Sequence, residues 1–177
     1  MGMERLLEIR ESCETFMQEL LEQRLAEAEH NFRRQQLIWQ QVFWDKLDEL
    51  LEHRDETTEN VVISLLHSSS VSGSNAFHIA LYDDEIYIEP DPPCVYYVPE
   101  FLFVEIEEDM EQIRNHIAFD YISLTDSEMQ EMKRQYLQMV YESAEDFFRL
   151  MLPDSKEEGL TVYFGRYMKQ VRSIGEI

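Results

Sequence analysis

The stretch ENVVISLLHSSSVSGSNAFHIALYDD, Glu59 to Asp84, is where the sequence changes character. Before it, from Met3 to Asn60, there is neither Gly nor Pro, and good helix formers dominate. Within it β-branched and aromatic residues take over. Val61–Ser69 reads as a strand, Ser68–Asn75 as a flexible loop and Ala76–Asp84 as a second strand. A tight turn at Asp83–Asp84 then leads into EIYIEPD, where Ile86 and Ile88 alternate with Glu85, Tyr87 and Glu89. That alternation predicts a half-buried antiparallel strand. Pro90, Pro92 and Pro93 end it, because proline cannot donate to a ladder. CVYYV, Cys94–Val98, follows as a third short strand.

Upstream, apolar residues recur at Leu6, Ile9, Cys13, Phe16 and Leu20, at alternating spacings of three and four. The seam then slips one residue to Leu21, Leu25, Ala28 and Phe32, and continues through Trp39, Val42, Phe43, Leu47 and Leu50. A strict heptad would not slip, so a two-stranded coiled coil is not indicated. Either one helix of roughly fifty residues turns its stripe slowly, or two helices meet near Glu29–Arg34. A single helix that long would span about 75–80 Å. The rest of the chain looks too short to cover it, which implies a hairpin or an oligomer. In the oligomeric case Phe16, Leu20, Leu25, Phe32, Trp39, Phe43 and Trp44 would form the interface of a homodimer.

Downstream, PEFLFVEIEEDMEQIRNHI (Pro99–Ile117) reads as a strand passing into a helix near Glu107. Ser123–Leu152 is the clearest helix: Thr125 and Glu128 fit the capping box and Pro153 bounds its end. Gly159–Ile174 reads as a strand or hairpin, with Gly165 marking a turn or bulge. The expected class is therefore α+β. It comprises a long N-terminal helix or helical hairpin, a small mostly antiparallel sheet, one further long helix packed on it, and a C-terminal strand. Residues 1–60 form the helical region and 61–177 the α+β region, together one compact domain.

Composition narrows the function. Of 177 residues, 37 are acidic and 15 basic, for a formal charge of -22. Direct nucleic-acid binding is disfavoured, because phosphate contacts need clustered Lys and Arg. Anionic membranes repel such a chain for the same reason, and no apolar run is long enough to span a bilayer. The N-terminus has no signal-peptide pattern, and with Leu6 after Gly2 it has no myristoylation site. Cys13 and Cys94 make no metal or redox spacing and suit a reducing compartment, so a cytoplasmic location is expected.

Signs of catalysis are sparse. The five glycines are scattered, and HExxH, EF-hand and GxSxG patterns are absent. No cofactor is called for. His67 and His78 fall on neighbouring predicted strands and form a weak metal candidate beside Asp83 and Glu85. That pair is the only basis for a third-ranked reading, an unfamiliar metal-dependent hydrolase.

The charge distribution is the most informative feature. Residues 55–113 contain no Lys or Arg and 14 acids. Acids and tyrosines are mixed there, which suits a surface that meets a basic protein. The candidate contact residues are Asp83, Asp84, Glu85, Tyr87, Glu89, Asp91, Tyr96, Glu100, Glu105, Glu107, Glu108, Asp109 and Glu111. The leading expectation is a non-enzymatic acidic protein that engages a basic partner. In its sharpest form it is a nucleic-acid mimic that inhibits a nuclease or other nucleic-acid-binding protein, as anti-defence and immunity proteins do. The alternative is an assembly subunit joined through its N-terminal helices.

Overall fold

The computed structural model describes residues 2–88, 91–121, 123–153 and 158–177. The N-terminal region forms two helices, α1 (Gly2–Arg34) and α2 (Gln36–Leu51), that are not folded back on each other. α1 lies on α4 and α5 (ranges below), whereas α2 lies on α5 and two strands of the sheet. The break is at Gln35, with φ -128°, one residue beyond the stretch singled out in the sequence. The rings of Phe32 and Trp39, one from each side of the break, both close on Phe101, with centroids 5.3 and 5.2 Å from it. Along α1 a second chain is not needed to cover the apolar seam. Ile9, Cys13, Met17, Leu20, Ala28 and Phe32 of α1 are buried within the chain's own core.

That list explains the slip in the sequence. Leu20, Ala28 and Phe32 fall on a line of fourth residues whose missing member is Arg24. A charged residue occupies a core-facing position, and its partner comes from far along the chain.

The sheet has five strands in the order β3-β2-β1-β4-β5: β1 (Asn60–Leu65), β2 (Phe77–Tyr82), β3 (Cys94–Tyr97), β4 (Thr161–Arg166) and β5 (Val171–Glu176). β1 and β4 are parallel and every other pair is antiparallel. One face packs on the helices α2 and α5 (Asp126–Met151), with α4 (Ile106–Ala118) and α1 lying outside them. Phe148 of α5 is fully buried in this layer, against Phe43, Phe77, Tyr97 and Phe164 at centroid distances of 5.0–6.0 Å. The capping box of α5 is present: the Glu128 N–H donates to Thr125 Oγ1, and the Thr125 N–H donates to the Glu128 carboxylate at 2.8 Å.

Four local readings are corrected. Residues 68–72 are not a loop but part of a six-residue helix, α3 (His67–Ser72), closed by Gly73 at φ +72°, where glycine avoids the Cβ clash of the left-handed region. Glu85–Ile88 is a turn rather than a strand; Glu89 and Pro90 lie outside the described residues. α4 starts at Ile106, beside the expected Glu107, but the residues leading into it form a 3-10 turn, Glu100–Leu102, rather than a strand. Gly165 lies inside β4, where a Cβ would sit 2.6 Å from the Gln170 carbonyl, and the register irregularity falls instead at Val162/Tyr163. No helix among the described residues is long and apolar enough to cross a membrane.

Candidate functional site

Strand alternation sends every second residue to the face of the sheet opposite the helices. One row across that face runs Tyr96, His78, Ser64, Gly165, Val171, and the next runs Cys94, Ala80, Val62, Tyr163, Ser173. Among the described residues no helix packs on the cluster these rows contain. Val62, Ala80 and Tyr82 are instead buried, with Tyr163 and Val171 of the neighbouring strands packed against them together with Ile86 and Tyr87 from beyond β2. The segment after β2 therefore folds back over the strands. Tyr87 is the residue that pins it. Its hydroxyl lies 2.9 Å from Ser64 Oγ, and its ring packs edge-on against Tyr82 and Tyr167, each at 5.4 Å. Burial pushes its phenol pKa up, against the lowering effect of the Ser64 contact. The backbone there is at φ +71°, a conformation that costs a non-glycine residue about 1–3 kcal/mol and so must be compensated by these contacts.

This fold-back sets the positions of the first group of candidate acids. Asp83 is half-buried and closes a turn, its Oδ1 accepting from the Glu85 N–H at 3.0 Å, while Asn60 donates to its carbonyl. Asp84 and Glu85 are exposed, as is Asp91 before β3. Tyr96 stands 55% exposed on the edge strand, on the same sheet face as Tyr87. Tyr82 and Tyr97, which the sequence could have put beside it, are buried.

The second group lies on the helical side. Glu100, Glu105, Glu107, Glu108 and Glu111 are exposed around the 3-10 turn and along the outer face of α4. Glu107 pairs with Lys133 of α5, and Glu105 with Arg24. Asp109 does not belong to this surface. It is 0% exposed, held by Arg24 Nε at 3.1 Å and Nη2 at 2.5 Å, and receives the Tyr136 hydroxyl at 2.9 Å. Burial works against the Arg24 charge, but the hydrogen bonds of Asp109 and Glu27 outweigh it and hold the guanidinium pKa above its ordinary value. Burial first, and then the Asp109 charge, push the Tyr136 phenol up. Asp109 is thus a core ion-pair residue. The acids form two patches on opposite sides of the sheet rather than one.

Of the proposed oligomer residues, Leu20, Phe32 and Phe43 are 5%, 0% and 1% exposed and offer no surface to a second chain. Phe16, Leu25, Trp39 and Trp44 are partly covered by the same core, Phe16 by a parallel stack on His116 at 4.1 Å. Exposed instead on α2 are Leu37, Ile38 and Val42.

His78 is buried on β2 between the rings of Tyr96 and Tyr167, and its Nδ1 has no hydrogen-bond partner among the described residues. His67 opens α3 rather than lying on a strand beside it, and its side chain is outside the described positions. Among the described residues no three His, Cys, Asp or Glu side chains converge as metal ligands would. Cys13 is buried and its thiol pKa is pushed up to about 11, far from a reactive thiolate; Cys94 is exposed.

A cleft of about 520 Å³ opens at the carboxyl ends of the parallel pair β1 and β4, beside Leu65, Tyr141, Phe164 and Lys169. The signal for it in the sequence is the mildly basic tail, Arg166, Lys169 and Arg172. Its arginines are already engaged: Arg166 by Glu142, and Arg172 with Arg149 by the buried Glu145. No family model matches the chain, and no curated protein or solved structure matches it significantly.

Proposed function

We propose that this is a non-enzymatic binding protein whose helix-free sheet face engages a basic protein. What supports the reading is exposed Tyr96 on this face together with exposed Asp84 and Glu85 on the fold-back, all drawn from a segment without a single Lys or Arg. Tyrosine supplies a rigid amphipathic anchor, and the carboxylates supply a negative potential that speeds encounter. In its most specific form the partner is a nucleic-acid-binding protein, and the carboxylates take the places of phosphates in its groove. The exposed acids of α4 add to the long-range field from the other side of the sheet.

Affinity capture at low and high salt, with identification of the retained proteins, tests this. The expected partner is basic, is released as salt rises because counterions compete, and is displaced by duplex DNA. Two triple reversals then locate the surface: Asp84→Lys, Glu85→Lys and Asp91→Lys should abolish capture, while Glu107→Lys, Glu108→Lys and Glu111→Lys should only slow it. A complex indifferent to salt and to the first triple would sink the proposal.

A further inference from the structure

α2 presents an apolar stripe that its own chain leaves uncovered. Leu37 is 81% exposed, Ile38 58% and Val42 45%. Ile38 and Val42 stand one turn apart on one face of the helix. The ten residues from Gln35 to Trp44, QQLIWQQVFW, include no charged side chain in a sequence that is 29% charged. The back of this helix is fixed: Gln40 Nε2 donates to the Leu150 carbonyl at 2.9 Å, and Trp44 Nε1 to that of Met151 at 2.6 Å. Both acceptors lie at the end of α5, where helix carbonyls otherwise lack partners.

A basic partner would find no carboxylate within this stripe. A second copy of the same helix finds an apolar match and a charge match together. Arg34, which makes no ion pair among the described residues, lies at one end of the stripe, and exposed Asp45 lies at the other. We propose that α2 docks antiparallel on α2 of a second copy, about a two-fold axis between Ile38 and Val42. Each Ile38 then faces the other copy's Val42, and each Arg34 comes beside the other copy's Asp45 and Lys46, the lysine being already paired with Glu49 of its own chain, as a self-complementary interface requires. Each copy carries a charge of -22, so long-range repulsion opposes the pairing and added salt strengthens it. That salt response is opposite to the one expected for a basic partner, so the two readings fail separately.

Sedimentation of the purified full chain over a range of concentrations, at low and high salt, reads the outcome. A dimer should form with rising concentration and more readily at high salt. Ile38→Glu with Val42→Glu, both on the exposed face, should weaken it by about tenfold or more. Arg34→Asp should also weaken it, and adding Asp45→Arg should restore it. Circular dichroism of each variant checks that the helices persist. A chain that stays monomeric at every concentration and salt overturns the proposal. So does a dimer that the Ile38/Val42 pair of substitutions leaves intact, or one that the charge exchange fails to restore.

Discussion

Arg24 Nε and Nη2 grip the carboxylate of Asp109 across 85 positions of sequence, and the Tyr136 hydroxyl completes the shell. Three helices meet at this one charge: α1, α4 and α5. The pair is nearly closed to water, with side-chain exposures of 12% and 0%. Removing Asp109 leaves the Arg24 charge with only the exposed carboxylates of Glu27 and Glu105 and takes the acceptor from the buried Tyr136 hydroxyl. Asp109→Ala should therefore cost about 3–5 kcal/mol, read as a lowered urea midpoint. Arg24→Met combined with Asp109→Leu, which removes both charges, should recover most of that loss. A single variant with the stability of the parent would show that the pair is not closed in solution.

Tyr87 offers a second, local test. Tyr87→Phe keeps the ring against Tyr82 and Tyr167 but loses the contact with Ser64, and should lower stability by about 1 kcal/mol. Tyr87→Gly relieves the φ of +71° yet exposes Val62, Ala80 and Tyr82. Amide exchange should then quicken in β1 and β2, because the cover over their outer rows is gone.

His78 makes stability depend on pH. Burial lowers its pKa below the ordinary 6.5, and its immediate neighbours are the uncharged rings of Tyr96 and Tyr167. The unfolded chain takes up the proton first as pH falls, so the stabilising contribution is complete above about 6.5 and is lost below it, towards the folded-state pKa. Urea midpoints measured above and below that value should differ more for the parent than for His78→Gln. Equal pH slopes for the two chains would contradict the assignment.

At the start of α5, Thr125→Ala removes the acceptor for the Glu128 N–H. The backbone hydrogen bond from Thr125 is also the main reason the Glu128 carboxyl lies below its ordinary pKa. A loss of about 1 kcal/mol is expected on thermal unfolding, as for other helix caps. Thr125→Ser should restore it.

What the sequence made legible was local. Thr125 and Glu128 lie three residues apart, so their reciprocal hydrogen bonds could be read directly, as could the α5 face they introduce. Alternation misled at Glu85–Ile88. Ile86 and Tyr87 are neighbours in sequence, yet both turn to the sheet while Ile88 stays 68% exposed, which a left-handed residue permits and a strand does not. Asp109 looked like one more acid at a helix start, a position the helix dipole favours. Its partner is remote, and the only hint was Arg24 standing on the buried line of α1. The Tyr96 face was legible as composition. Its separation from the α4 acids was not, since that depends on which side of the sheet each segment crosses.

The parallel ladder between β1 and β4 bears on how the chain reaches this state. Asn60 pairs with Thr161 and Leu65 with Arg166, so the central strand waits about a hundred residues for one of its neighbours. A ribosome emitting this chain releases α1, α2 and the β1–β2 hairpin well before that neighbour exists. Through that interval one edge of an apolar strand, Val61 to Ile63, is open to pairing with any other nascent chain. Loop closure over such a distance also makes for slow folding. The abundance of carboxylates through the intervening segment then has a second consequence, independent of any partner: unfinished copies repel one another while the sheet is still incomplete.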